Sequence, residues 1–176
     1  MTELNISFEH CHPIMEHARQ VMEWRNDPTS LSMFYHNEPK QWETFWPEFR
    51  DTYFQDSDYP PPVFALVAGH RVGFLRFQRV DHLPDIKGRT VDISINIAPE
   101  ERGKRLGTRI LQATLGHLAA QHIDSVYAEV REENIASKKA FNAAHFTVIG
   151  AKLKHIADTG ETCNIVQFIA KLKTTS

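Results

Sequence analysis

The sequence has little of several features that would mark particular classes of protein. Its 176 residues include two cysteines, Cys11 and Cys163, so one disulfide at most can form and a disulfide-stabilised scaffold is excluded. No run approaches the roughly 18 apolar residues that a membrane helix needs. The first residues carry neither the basic nor the apolar segment of a secretory signal. We therefore expect no membrane association, a cytoplasmic location and reduced thiols.

Net charge is also small. The 20 basic and 22 acidic side chains give −2, whereas proteins that bind nucleic acid in bulk normally show a basic excess. Apolar residues at 41% and charged residues at 24% are close to the averages for folded domains, which excludes a disordered chain. The cluster His10-Cys11-His12 lacks a second ligand pair at zinc spacing, so no metal site is predicted. We expect residues 1–176 to form one domain.

Two local concentrations contrast with this average composition. Four cations fall within eight residues, Arg102, Lys104, Arg105 and Arg109. Of the 18 aromatic residues (3 Trp, 4 Tyr and 11 Phe), 11 lie in the segment 24–64. A chain that is average overall and uneven in two places is predicted to have two specialised regions.

Hydrophobic periodicity predicts an alternation of strands and helices. Strands are predicted near 4–8, 63–68, 71–80, 91–97, 125–130, 146–155 and 162–171. Helices are predicted near 13–24, 40–54, 104–121 and 134–144. Asn26-Asp27-Pro28 is predicted to end the first helix as a break. This order indicates a mixed α/β sheet with helices on both faces.

The segment 92–108, DISINIAPEERGKRLGT, predicts a strand, a proline stop, a basic loop and a helix start. Successive backbone N–H groups at such a helix start bind anions, and nearby cations strengthen the site. The glycine spacing fits neither a Walker A loop nor a Rossmann fingerprint. The loop is therefore predicted to hold a phosphate or pyrophosphate, with an ordinary exposed helix start as the alternative.

At these residues the chain resembles the GCN5-related N-acetyltransferases (GNAT). Their acetyl-CoA signature is Gln/Arg-x-x-Gly-x-Gly/Ala after a strand and a proline, and here Arg102 and Gly107 match its two ends. Arg105 replaces the first signature glycine, which alters how closely the backbone approaches the cofactor there. An arginine at this position could instead reach a phosphate.

A second GNAT motif has an asparagine, a small residue three later, an aromatic seven later and a Gly-Phe pair. Asn134, Ser137, Phe141 and His145-Phe146 match it, with His145 in place of glycine. Phe141 stands where many relatives carry a tyrosine that protonates the thiolate leaving group. The resemblance thus leaves this role to Tyr35, to a histidine or to bulk water.

The resemblance implies a single-domain GNAT fold, with a mixed, mostly antiparallel sheet of about seven strands and helices on both faces. A V-shaped split between two parallel central strands would hold acetyl-CoA. The backbone of Ile95 and Ile97 would pair with the pantetheine amides, and Asn134 and Ser137 would contact the cofactor. The pyrophosphate would lie on the N–H groups of Arg102, Gly103, Lys104, Arg105, Leu106, Gly107 and Thr108.

The resemblance also implies direct transfer of acetyl to an amine, which needs a base or a water relay. Asp92 is the candidate base, because it occupies the strand position where many relatives carry glutamate. Ser94 and Asn96 alternate onto the same side and would order a water. The alternatives are an ion pair for Asp92 and ordinary polar strand positions for Ser94 and Asn96.

In this family the acceptor is held by the first two helices and the loop between them, where this chain is rich in aromatics. The stretch Glu23–Pro28 resembles the branch that acetylates nucleotide-linked amino sugars, and more loosely the ribosomal-protein and polyamine branches. The candidate acceptor residues are Trp24, Arg25, Asn26, Phe34, Tyr35 and His36. The alternative is that the aromatics fill the core between the two helices.

The function expected from this resemblance is acetyl-CoA-dependent N-acetylation of a small primary amine, with a nucleotide-activated amino sugar as the leading acceptor. Other acceptors within the class are a protein N-terminus, a polyamine or an aminoglycoside. The alternative outside the enzymes is a non-catalytic sensor that binds acyl-CoA. No nucleic acid or membrane partner is expected, and a homodimer is a possible assembly.

Overall fold

The computed structural model describes residues 4–35, 38–157 and 159–173. The described residues form seven strands and five α-helices, which follow the predicted order with one additional short helix. The strands are β1 (Ile6–His10), β2 (Val63–Val67), β3 (His70–Arg79), β4 (Thr90–Ile97), β5 (Ser125–Arg131), β6 (Thr147–His155) and β7 (Thr162–Lys171). The helices are α1 (Met15–Arg25), α2 (Pro28–Met33), α3 (Trp42–Thr52), α4 (Leu106–Ala119) and α5 (Ile135–Ala143).

All seven strands belong to one sheet with the order β1-β2-β3-β4-β5-β7-β6. β4 and β5 pair in parallel, with Thr90 opposite Ser125 and Asp92 opposite Tyr127. The registers of β1 with β2, β2 with β3, β5 with β7 and β6 with β7 are antiparallel. The predicted α/β class and the number of strands are confirmed.

The parallel pair is short. Its register ends at Asp92 and Tyr127, whereas β5 continues to Arg131 and stays paired with β7 over that whole length. The pairing of β4 with β5 stops at this point, as expected if the two strands separate beyond it. It leaves backbone groups at the end of β5 without a β4 partner in the register.

The described residues pack into two compact units. The first unit draws on Met1–Arg76 and Ile95–Lys104, and the second on Phe77–Ser94 and Arg105–Ser176. β3 and β4 each contribute residues to both.

The aromatic-rich segment builds the core of the first unit. Phe45 and Phe49 of α3 are fully buried, and α1 packs against α3. Trp24 meets the ring of Phe64 edge-on at 6.1 Å between centroids. The alternative reading of these aromatics as core filler is therefore confirmed for the two helix α3 phenylalanines.

The core of the second unit includes two groups of aromatic and aliphatic side chains. Phe141 of α5 packs edge-on against Phe146 at 4.9 Å and stacks on Phe168 of β7 at 5.5 Å. Tyr127 and Ile169 form a separate cluster with Val80, against which Leu83 and Ile86 pack. α4 packs against α5.

The predicted break at Asn26-Asp27-Pro28 is confirmed, since α1 ends at Arg25, but a second short helix that was not predicted, α2, starts there. Asp27 accepts a hydrogen bond from Ser30 N at 3.2 Å as the N-cap, and Pro28 takes the first helical turn. The residues that stop α1 are thus the residues that start α2. None of the described helices is both long and apolar enough to cross a membrane.

Candidate active site

The basic loop ends at a helix start that is built for an anion. Arg105 has φ +60°, in the left-handed region, and from there α4 begins at Leu106 with no side chain capping it. The first N–H groups of a helix have no intrahelical partner, so those of Leu106, Gly107 and Thr108 remain available to a ligand. A Cβ added at Gly107 would lie 3.5 Å from the Cβ of Ala140. Gly107 therefore lies close to α5, and the uncapped start of α4 fits a pyrophosphate.

Two of the four cations in this segment are already paired. The guanidinium of Arg102 donates to Asp27 Oδ2 at 2.6 Å and to Ser30 Oγ at 2.5 Å. Lys104 Nζ lies 3.0 Å from Glu101 Oε2. Arg105 and Arg109 form no ion pair with any residue of 4–35, 38–157 or 159–173. The positive charge left for an anion at the start of α4 is therefore that of Arg105 and Arg109.

Asn134 is the N-cap of α5 and accepts from Ser137 N through its Oδ1 at 3.2 Å. The cap fixes the orientation of the amide, and it leaves Nδ2 as a donor. Both predicted cofactor residues of this motif thus meet at one helix start. The structure gives Ser137 a backbone role there.

Asp92 lies on β4 and is partly buried. No described residue donates a hydrogen bond to its carboxylate. The pKa of Asp92 is raised to about 7, chiefly by burial and also by the negative charge of Glu129, while the charges of Lys154 and Lys152 act in the opposite direction. Asp92 is therefore a carboxyl group that exchanges its proton near neutral pH.

Beside Asp92 the structure places a polar cluster that the sequence did not single out. Tyr127 OH donates to Glu129 Oε2 at 2.9 Å, and Gln167 Nε2 donates to Tyr127 OH at 2.8 Å. Lys152 Nζ lies 2.6 Å from Glu129 Oε2, and Lys154 Nζ lies 3.6 Å from Glu129 Oε1. The available signal was the alternation of polar and apolar residues along 125–131 in a central strand.

The ionisation of this cluster follows from its contacts. Burial by itself would raise the pKa of Glu129, but the hydrogen bonds from Lys152 and Tyr127 and the charges of both lysines lower it. Burial raises the pKa of Tyr127, whose hydroxyl therefore stays protonated. Two carboxyl groups in one unit, Asp92 and Glu129, thus have pKa values displaced in opposite directions.

The other two predicted catalytic residues differ from each other. Ser94 is exposed, whereas Asn96 accepts a hydrogen bond from Ser30 Oγ at 3.1 Å through its Oδ1. Asn96 Nδ2 is buried without a hydrogen-bond partner among the described residues. Asn96 is therefore attached to the Asp27–Arg102–Ser30 network.

The predicted acceptor residues are mostly held by the fold of the first unit. Trp24 is 3% exposed, so its contribution is to the core. Arg25 Nη1 donates to Tyr53 OH at 2.7 Å, and its guanidinium lies 5.2 Å from the Phe34 ring centroid. Asn26 binds the backbone of Lys40 through both ends of its amide, at 2.9 and 2.7 Å. Arg25 and Asn26 therefore brace this region through their polar atoms.

Phe34 and Tyr35 are partly buried and follow α2. Predicted residue His36 lies outside the described residues. Phe141 is 3% exposed and cannot donate a proton, so it acts as a core residue. Cys11 and Cys163 are both buried free thiols. In the described ranges no three His, Cys, Asp or Glu side chains come together in a way that could hold a metal.

Comparison with known proteins gives one family. The model of the acetyltransferase (GNAT) family matches residues 18–146. No curated protein matches the chain in sequence.

Solved structures of acetyltransferases share its fold. A candidate phosphinothricin N-acetyltransferase superposes with a TM-score of 0.76 at 21% identity, covering 96% of this chain and 99% of that one. The candidate acetyltransferase yncA of Salmonella typhimurium, with its cofactor acetyl-CoA, has a TM-score of 0.70 at 16% identity, covering 97% and 96%. The aminoglycoside acetyltransferase AAC(6')-Ib with coenzyme A has a TM-score of 0.74 at 13% identity, covering 95% of each. At such identities the likeness shows the fold alone.

Proposed function

The chain belongs to the acetyltransferase (GNAT) family, with acetyl-CoA as its donor, and from this premise we propose that it acetylates the primary amine of a small molecule, with Asp92 as the base. The observation that carries the base role is the half-buried carboxyl group on β4 whose pKa burial raises to about 7. A general base works best when its pKa lies near the working pH, since it is then both ionised and able to hold a proton.

When bound, acetyl-CoA supplies the activated acetyl group as a thioester. Its pyrophosphate is suited by the N–H groups of Leu106, Gly107 and Thr108 and by the guanidinium of Arg105, which has no ion-pair partner among the described residues. The Nδ2 of Asn134 is a further donor, oriented by the helix cap. The proposed roles of the Ile95 and Ile97 backbone follow from the family resemblance.

Asp92 takes the proton that an ammonium group must lose before its nitrogen can attack. Because Glu129 stays ionised and paired with Lys152, it does not compete for that proton. Phe141 has no proton to give, so we leave protonation of the leaving group to water. The proposed mechanism therefore uses Asp92 as its titrating carboxyl group and needs no side chain as a general acid.

For the acceptor we propose an amino sugar, with a nucleotide-activated one as the first to test. The support is the resemblance of Glu23–Pro28 to that branch and the aminoglycoside acetyltransferase among the proteins of the same fold, because aminoglycosides carry amines on sugar rings. Arg25, held by Tyr53, places a cation beside the Phe34 ring. Such a pair suits a phosphate and the face of a ring.

We further propose that residues 1–176 act as one N-acetyltransferase domain in the cytoplasm, without a nucleic-acid partner. The even charge balance and the absence of a spanning helix in the described residues support this. A homodimer is the assembly to test first by light scattering.

The test is release of free CoA thiol with a panel of amines. The panel contains a nucleotide-linked amino sugar, the free amino sugar, an aminoglycoside, a polyamine and a peptide with a free N-terminus. We expect the highest kcat/KM with a sugar amine and loss of that activity in Asp92→Asn. Activity confined to peptides would overturn the acceptor, and tight acetyl-CoA binding without CoA release for any amine would point to a sensor instead.

A further inference from the structure

We propose that Glu129 is a positioning residue for Asp92: the cage of Tyr127, Lys152 and Lys154 fixes a negative charge on the face of the sheet that carries Asp92. This inference rests on the proposed function, since it concerns the base assigned there. Neither Glu129 nor its cage was among the predicted site residues.

The register of the sheet brings the two carboxyl groups to one face. Asp92 of β4 lies opposite Tyr127 of β5 in a parallel pair, so both side chains point to the same side. Glu129 follows Tyr127 by two residues and shares that side because side chains alternate along a strand. Gln167 of β7 is the register partner of Glu129, which extends the polar face across a third strand.

Side chains of β5 and β6 fix the Glu129 carboxylate. Its side chain is only 11% exposed. Lys152 Nζ at 2.6 Å and Tyr127 OH at 2.9 Å both bind Oε2, and Lys154 Nζ lies 3.6 Å from Oε1. Tyr127 is in turn held by Gln167 at 2.8 Å. A carboxylate held in this way stays ionised and cannot turn away from its neighbours.

The charges that act on Asp92 have opposite signs. Burial is the largest cause of its raised pKa, the Glu129 charge acts in the same direction, and the lysines of β6 act against it. Arg131, next on this side of β5, has its Nη1 3.3 Å from Glu133 Oε1. Removing Glu129 and removing Lys154 must therefore move the proton affinity of Asp92 in opposite directions.

The experiment follows Asp92 in the free protein by 13C NMR titration of its carboxyl carbon, beside the pH profile of kcat/KM. Glu129→Gln keeps the shape of the side chain and removes its charge. We expect the Asp92 midpoint to move to lower pH, and the rate at pH 6 relative to pH 8 to rise about threefold or more. Lys154→Met should move the midpoint to higher pH.

Glu129→Asp, which restores a carboxylate, should return the midpoint toward that of the wild type. Glu161→Gln removes an exposed carboxylate of the same unit and should change neither readout. An unchanged Asp92 midpoint in Glu129→Gln, or shifts of the same sign in Glu129→Gln and Lys154→Met, would overturn the inference. A shifted midpoint with an unshifted rate profile would support the coupling and refute Asp92 as the base.

Discussion

Two aspartates in this protein show opposite electrostatic behaviour. Asp27 in the first unit binds the Arg102 guanidinium at 2.6 Å and caps α2 through Ser30 N, and these hydrogen bonds hold its pKa below the ordinary 3.8. Asp92 in the second unit receives no hydrogen bond from the described residues, and burial raises its pKa to about 7. The first is ionised throughout the physiological range, and the second is not.

The difference distinguishes carboxylates that stabilise the fold from carboxyl groups that can exchange a proton near neutral pH. A carboxylate with a guanidinium and a helix N-terminus on its oxygens is stabilised as an anion, and it cannot exchange a proton near pH 7. A carboxyl group that is desolvated and left without donors can do so, at a cost to the folded state. The family resemblance singled out Asp92 as the candidate base, but the residues around each aspartate in the sequence do not predict the direction in which its pKa is displaced.

The largest effect is expected from Asp92→Asn. Loss of a general base lowers rates by about 10²–10⁴-fold, and we expect at least about a 100-fold fall in turnover at pH 8 by CoA release. Acetyl-CoA affinity should change less than about twofold. Normal turnover with an unchanged pH profile would remove Asp92 from the mechanism.

Asp92→Asn also has a signed effect on stability. A folded-state pKa of about 7 lies above the ordinary value of 3.8, so wild-type stability falls as the pH rises from 3.8 to 7. Asparagine does not titrate, so the variant has no such loss of stability. The melting temperature of the variant should therefore rise relative to that of the wild type between pH 4 and pH 8. A difference in melting temperature that does not change with pH would contradict this.

Gly107→Leu should weaken CoA binding about tenfold, because a bulky side chain would crowd the N–H groups at the start of α4, whereas the family signature accepts alanine here. The new Cβ itself would lie at an ordinary 3.5 Å from that of Ala140. Gly116→Leu is the matched control in the same helix, with nothing within 4 Å of its Cβ. Calorimetric titration with CoA measures both, and equal affinities would count against the anion site.

Asp27→Asn tests the other side of the comparison. Asparagine still caps α2, but Arg102 loses its anionic partner, so the free energy of unfolding should fall by about 1–2 kcal/mol. The advantage of the wild type should be present above pH 3.8 and should vanish as the pH falls through the lowered pKa of Asp27. Denaturant titrations at pH 7 and pH 2.5 measure it. A loss of turnover as large as that of Asp92→Asn would contradict a purely structural role for Asp27.

The smallest effect is expected from Arg105→Gly. Glycine takes φ +60° without the strain of a side chain, so unfolding should cost about 0.5–1 kcal/mol more. The same change removes a cation that no described residue pairs with, so it should weaken CoA binding about two- to fivefold. Lys104→Ala, whose lysine is paired with Glu101, should have the smaller effect on affinity. If Arg105→Gly does not raise the free energy of unfolding, the strain inferred at this φ angle is contradicted.

Periodicity predicted the strands and the long helices, because 3.6-residue and two-residue patterns are local properties of the chain. It missed α2, since six residues leave too short a pattern and Pro28 is both a breaker and a helix starter. The motifs located Arg102–Gly107 and Asn134, but not the pairing of Arg102 with Asp27, 75 residues away in the chain. Glu129 and its lysines were missed because their contacts depend on the order β5-β7-β6, which no local pattern encodes.

A single titration distinguishes the two aspartates. In a single sample of the free protein, 13C NMR can follow the carboxyl carbons of Asp27 and Asp92 from pH 2.5 to pH 9. We predict that Asp92 titrates near pH 7 while Asp27 titrates below 3.8. If Asp92 titrates near pH 4, like an exposed aspartate, it is not the proposed general base.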